Sequence, residues 1–162
     1  MKRLVCILLI LTLLLCGCRK DDKVKFYYCP ADSLSGAQDS LFTSEVRTVT
    51  GYTDDLYFLI SLYLSGPLDQ DLVSPFPEGT ELELIAADLP DITVQLKDLP
   101  QNMTDSEYSI ACACLSMTVM ELTDAESVTV VSGKRSVTMK ASTLVLSDES
   151  TPTTVTVPGG TQ

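Results

Sequence analysis

Residues 53–67 read TDDLYFLISLYLSGP, and SPFPEGT follows at 74–80. Thr53 can cap a helix, Asp54 and Asp55 complement its positive end, and Gly66-Pro67 stops it. Between Leu56 and Leu64 only Ser61 is polar, so this short helix is apolar nearly all round. Such a helix is either covered on several sides or offers its outer face to a partner. One sheet covers one stripe of it. Tyr57, Phe58 and Tyr63 are therefore expected to include partner-binding residues, with burial under local loops as the other outcome. The connector 68–80 carries Pro75, Pro77 and Gly79, which makes it a rigid, turn-laden loop.

Outward from this segment the pattern alternates between strands and one further helix. ELELIAA (81–87) and ITVQLK (92–97) repeat with period two, and DLPD (88–91) between them predicts a hairpin. Thr104 and Glu107 have capping-box spacing. Behind them Tyr108, Ala111, Cys112, Leu115, Val119 and Leu122 recur at helical spacing, a stripe for a sheet face. SVTVVSGKRSVTMKASTLVL (127–146) reads as strands turned at Gly133-Lys134. Upstream, VKFYYC (24–29) is a strand by propensity, PADSLSGAQDS (30–40) is turn-rich, and EVRTVT (45–50) alternates toward a second strand. Strands and helices that mostly do not alternate predict an α+β domain. We expect a mixed, largely antiparallel sheet with two helices packed on one face.

The two ends carry no such pattern. Met1, Lys2 and Arg3 precede an apolar run from Leu4 to Cys16. As a helix that run is about 20 Å long, short of the roughly 30 Å hydrocarbon core, so it fits a secretory leader better than a span. Leu15-Cys16-Gly17-Cys18 resembles the bacterial lipobox. That resemblance makes 1–17 a removed signal peptide and Cys18 the acylated residue, which places the protein on the extracytoplasmic face of the cell membrane. Residues 18–23 form a short tether, 24–147 the domain, and 148–162 a disordered tail rich in Thr, Pro and Gly.

Loss of Lys2 and Arg3 with the leader takes the net charge from −11 to −13. An acidic body of this kind is repelled by nucleic acid and by anionic lipid. Arg19, Lys20, Lys23 and Lys25, set against Asp21 and Asp22, cluster beside the anchor and could either rest on anionic headgroups or form an ordinary polar spacer. Of the mature cysteines, Cys29, Cys112 and Cys114 remain after acylation of Cys18. We expect buried apolar thiols, with a Cys29–Cys112 bridge as the alternative.

The chain has no His and no Trp, so Ser-His-Asp and Cys-His constellations cannot be built within it. No phosphate loop or dinucleotide motif appears, and no cofactor is expected. Asp54/Asp55, Asp69/Asp71 and Asp88/Asp91 are nominal carboxylate pairs for glycan cleavage. Each reads better as a helix-end, loop or turn residue, and we expect no catalytic residues and no metal site.

Taken in order, VKFYY, the helix running into YLSGP, the SPFPEGT loop and the strand pair behind it resemble the GerMN domain. Leu62, Gly66, Pro67, Pro77, Gly79 and Thr80 match that family's helix end and loop, and SMTVMELTDAESVTVV (116–131) with Gly133 matches its second helix and following strand. The resemblance covers about residues 24–140. It implies a secreted or lipid-anchored protein of endospore-forming Gram-positive bacteria, linked to sporulation or germination and similar to ring-building folds. It implies no catalysis. The function expected is assembly through a protein partner or self-association. The alternative is a module for cell-wall glycan or a small ligand, served by Tyr27, Tyr28, Tyr52 and Tyr57.

Overall fold

Phe26 and Tyr28 alternate with Tyr27 and Cys29 along one strand, and all four are buried, so both faces of that strand are covered. This is β1 (Asp21–Pro30) of a computed structural model that describes residues 21–31, 41–100 and 102–143. The expected leader, Cys18, Arg19, Lys20, most of the 30–40 connector and the tail lie outside the described residues.

The elements that follow are β2 (Thr43–Thr50), α1 (Leu56–Leu64), β3 (Leu72–Val73), β4 (Leu82–Asp88), β5 (Asp91–Leu96), α2 (Asp105–Leu122), β6 (Ser127–Ser132) and β7 (Arg135–Lys140). The architecture is α+β, as expected, but it has two sheets rather than one. One sheet has the order β2-β1-β3 and is antiparallel. The other has the order β4-β5-β6-β7, with β5 and β6 parallel and its other pairs antiparallel. That parallel step is forced, because α2 carries the chain from β5 back to the start of β6. Strand β1 begins three residues earlier than its apolar pattern suggests, with Asp21, Asp22 and Lys23 opposite Thr50, Val49 and Thr48.

The helices do not share one face of one sheet. From Ala111 to Val119 every residue of α2 is buried. Its Cys114 and Thr118 turn toward β1, where the Thr118 hydroxyl accepts the Tyr27 amide at 3.0 Å. Its Tyr108 turns toward the other sheet, donating to the carbonyls of Val130 and Arg135 at 3.3 Å. A helix gripped by two sheets needs slim residues on every side, and Ala, Cys, Ser and Thr supply them. The expected capping box opens it: Thr104 Oγ1 accepts the Glu107 amide at 3.2 Å, and Glu107 accepts the Thr104 amide at 2.7 Å. The Thr104 amide and hydroxyl, both donating to the Glu107 carboxylate, hold it below its ordinary range.

Helix α1 is capped by Asp55, whose carboxylate accepts the Phe58 amide at 3.0 Å, and not by Thr53, which donates instead to Asp22. Its inner residues Leu59, Ile60, Tyr63 and Leu64 are buried, and the Tyr63 ring stacks on Tyr28 at 4.9 Å. Gly66 ends it with φ +93, a conformation that a side chain would resist.

Below that helix end lies a buried charge. Arg47 is 5% exposed although it sits in a strand. Period two puts Glu45, Arg47 and Val49 on one face of β2, and that face turns inward while Val46 is 56% exposed. Nε and Nη2 of Arg47 grip both oxygens of Glu45 at 3.1 Å. Nη2 also donates to the Gly66 carbonyl at 2.6 Å and to the Tyr28 hydroxyl at 3.1 Å, while Nη1 reaches the Leu62 carbonyl at 3.4 Å. The guanidinium lies 5.1 Å from the Phe26 ring centroid. It therefore takes up carbonyls that the end of α1 leaves open.

Removing one partner of a buried ion pair strands the other, at a cost of about 3–5 kcal/mol. We expect Arg47→Met to lose stability of that size in urea denaturation, while Val46→Thr on the outer face stays within about 0.5 kcal/mol of the parent. A loss below about 1 kcal/mol for Arg47→Met would show that the guanidinium does not hold the helix end.

Candidate functional site

The turn from β2 into α1 contains Gly51 and Tyr52, both with positive φ, at +72 and +58. Glycine adopts this region freely, whereas a bulky aromatic residue is strained there by about 1–2 kcal/mol. The strain is held by the turn itself, since the Tyr52 carbonyl accepts the Asp55 amide at 3.1 Å. Its consequence is that the Tyr52 ring stands outward, 67% exposed, with its centroid 5.3 Å from that of Phe58. Phe58 is 38% exposed and Tyr57 is 50% exposed. Three aromatic rings thus line the N-terminal half of α1 on the surface.

Tyr57 also borders a groove of about 550 Å³ between α1 and residues 74–82. Its hydroxyl donates to the Leu82 carbonyl at 3.2 Å. Ser61, Glu78, Thr80 and Glu81 supply polar groups to the groove walls, and Phe76 packs behind them. The Pro77–Thr80 turn closes on itself, with both the amide and the hydroxyl of Thr80 donating to the Pro77 carbonyl. The motif residues Pro77, Gly79 and Thr80 therefore shape the groove wall.

Glu78 and Glu81 are both exposed, and Glu81 is ion-paired with Lys97. Asp55 is the α1 cap, and Asp69 accepts the Asp71 amide at 2.9 Å within its own loop. Asp88 and Asp91 face each other across the two-residue turn of the β4–β5 hairpin. Among the described residues, no cluster of three His, Cys, Asp or Glu side chains could hold a metal ion. No described helix is long and apolar enough to cross a membrane.

Of the three aromatics expected to bind a partner, two are on the surface and one is not. Tyr63 is 1% exposed because its position on α1 faces β1, so the stack on Tyr28 takes the place of a partner. Tyr27 and Tyr28 are likewise core residues and cannot line a glycan site. Tyr52, expected only in the glycan reading, stands on the surface beside Phe58. Its left-handed backbone is the feature that sequence reasoning missed, and the preceding Gly51 was the only local signal for it. Lys25, expected beside lipid headgroups, is ion-paired with Glu121 at 3.1 Å. Cys29 and Cys112 are not neighbours; Cys29 meets Cys114 instead, at 3.9 Å between sulfurs.

A comparison with solved structures matches the tandem GerMN domains of the sporulation protein GerM from Bacillus subtilis, at a TM-score of 0.52 and 16% identity over 71% of this chain. The fold is GerMN-like. The chain spans 40% of the length of that two-domain structure. A provisionally assigned lipoprotein from Clostridium perfringens aligns at a TM-score of 0.44 and 15% identity over 71% of this chain and 76% of its own, too loosely to add to the assignment. No protein-family model and no curated protein matches the sequence. The GerMN likeness is therefore one of fold, carried by the order of strands and helices that the YLSGP and PEGT segments punctuate.

Within this GerMN-like core the Tyr63 hydroxyl is buried with no hydrogen-bond partner among the described residues. Burial first, and then the neighbouring Cys114, push it well above the ordinary tyrosine range. A buried polar atom left unpaired is destabilising. We expect Tyr63→Phe to be neutral or to stabilise by up to about 1 kcal/mol in thermal or urea unfolding. A loss above about 2 kcal/mol would show that the hydroxyl has a partner in the folded protein.

Proposed function

We propose that this chain is a non-enzymatic, lipid-anchored protein of the cell envelope, whose GerMN-like domain docks a protein partner through Tyr52, Tyr57 and Phe58. The observation that carries the reading is Tyr52, an aromatic residue kept in left-handed backbone and turned to solvent against Phe58. Backbone strain persists where surrounding structure imposes it, and such residues concentrate at functional sites. Exposed aromatics also supply large contact area at little cost in conformational entropy, which is why they anchor interfaces. The anchor is Cys18, on the strength of the lipobox, and the first strand starts at Asp21, only a few residues beyond it. The docking surface is thereby kept near the outer face of the bilayer. The sporulation role named for the Bacillus subtilis neighbour makes an envelope process of sporulation or germination the setting for this partner.

A second reading rests on the groove beside Tyr57. Its volume falls in the range of ligand sites, and one aromatic with several hydroxyls is a composition that suits a sugar.

In the producing cells, a photocrosslinking residue at position 52 should yield a discrete protein adduct in the membrane fraction, and one at exposed Lys140 should not. Tyr52→Ser combined with Phe58→Ser should fold normally, since an aromatic pair contributes only about 0.5–1.5 kcal/mol. The same double variant should lower spore formation or germination at least to the level of a Cys18→Ala strain. Wild-type sporulation and germination in the double variant would refute the docking surface. Retention of the full chain on peptidoglycan, lost on Tyr57→Ala but not in the double variant, would favour the groove.

A further inference from the structure

The two sulfurs that meet in the core come from distant parts of the chain. Cys29 lies near the end of β1, Cys114 in the middle of α2, and 85 positions separate them. Their sulfur atoms are 3.9 Å apart. A disulfide needs about 2.05 Å, so each sulfur has to move by only about 1 Å, a distance that side-chain rotation can supply. Cys112 is not an alternative, because two helical positions put it about 200° around α2 from Cys114. It faces Tyr108 instead, and burial pushes its thiol up to about 11.

We propose that Cys29 and Cys114 form a disulfide by exchange with a dithiol–disulfide oxidoreductase or a small-molecule disulfide, tying β1 to α2. Cys29 is the attacking thiol. It is 8% exposed while Cys114 is fully buried, so it alone presents an edge to an incoming disulfide. The contact between the two sulfurs lowers the Cys29 thiol, while that contact and burial raise Cys114, so Cys29 is the thiol of the pair that ionises first. Among the described residues, this end of β1 pairs with the two-residue strand β3, with Val73 opposite Cys29 and Leu72 opposite Pro30. A ladder that short opens locally at little cost, which gives the reagent access.

The exchange is balanced. The Cys29 thiolate attacks one sulfur of the external disulfide, whose S–S bond breaks and releases one thiolate. The Cys114 thiolate then attacks the Cys29 sulfur of the mixed disulfide and expels the second. Two S–H bonds of the protein are lost and one S–S bond is gained. The two protons and two electrons end on the external reagent as two thiols.

The reaction can be tested on the full-length chain with oxidised glutathione as the probe. After alkylation and tryptic digestion without reductant, peptide 26–47 should appear joined to peptide 98–134, at about 2 Da below their summed mass once the alkyl group on Cys112 is counted. Reductant should separate them and lower the urea midpoint of the protein. Cys112→Ala should leave the joined peptide intact, and Cys114→Ala should abolish it. If Cys114→Ala does not fold, the fragmentation spectrum of the parent cross-link still has to place the bond at Cys114. Two separately alkylated peptides after prolonged treatment would overturn the proposal, and so would a bond mapped to Cys112. The result does not depend on the docking surface, whose failure would leave this bond untouched.

Discussion

A single guanidinium organises one end of this domain. Arg47 sits under the last turn of α1, neutralised by Glu45, and takes up the Leu62 and Gly66 carbonyls. Glu45 in turn accepts the Leu68 amide at 3.2 Å, so the same pair fixes the chain on both sides of Gly66-Pro67. A buried pair of this kind contributes little net stability compared with a well-packed apolar substitute, but it tolerates no other geometry. What it supplies is position. The helix end, the connector behind it and the wall of the groove are all referred to one strand of the sheet. The Phe26 and Tyr28 rings on either side exclude water from the charge and strengthen its hydrogen bonds.

From that fixed end α1 runs back toward Tyr52, and its rigidity is what displays the aromatic surface. Its buried side rests on β1 through Tyr63, while Tyr57 is tethered to β4 through the Leu82 carbonyl. Helix α1 therefore bridges the two sheets on the outside, as α2 does in the interior. Asp55 and Glu107 are taken up in helix caps, Asp69 in its own loop, and Glu45, Glu81, Asp105 and Glu121 in ion pairs.

Much of this was legible in the residues, for reasons that can be stated. Local signals held: the capping box at Thr104, the stop at Gly66-Pro67, the hairpin across DLPD and the turn at Gly133-Lys134 all depend on neighbours within a few positions. The GerMN resemblance identified the fold that the solved structure of GerM supports. The phase of β2 was not legible, because Val46 and Val49 are three apart and cannot share a face. The choice between them is made by a charge, Arg47, that a hydrophobic pattern counts as outward. Two sheets were taken for one because α2 carries Ser116 and Thr118 on what looked like its polar side. These are buried, and the Thr118 hydroxyl is satisfied by a strand amide. Of the candidate partner residues Tyr57, Phe58 and Tyr63, the first two are exposed and the third is buried, a distinction the sequence does not make because an all-round apolar helix gives no phase by which to tell its inner side from its outer one.

The central claim is that the Arg47–Glu45 pair holds α1, rather than merely contributing to a uniformly cooperative core. Amide hydrogen exchange on the full chain, comparing Arg47→Met with the parent, tests it most directly. The account requires the amides of Leu59–Gly66 and of Leu68 to lose protection by roughly 100-fold more than those of Ile92–Leu96 in β5. Equal loss in both regions, or none in α1, would contradict it.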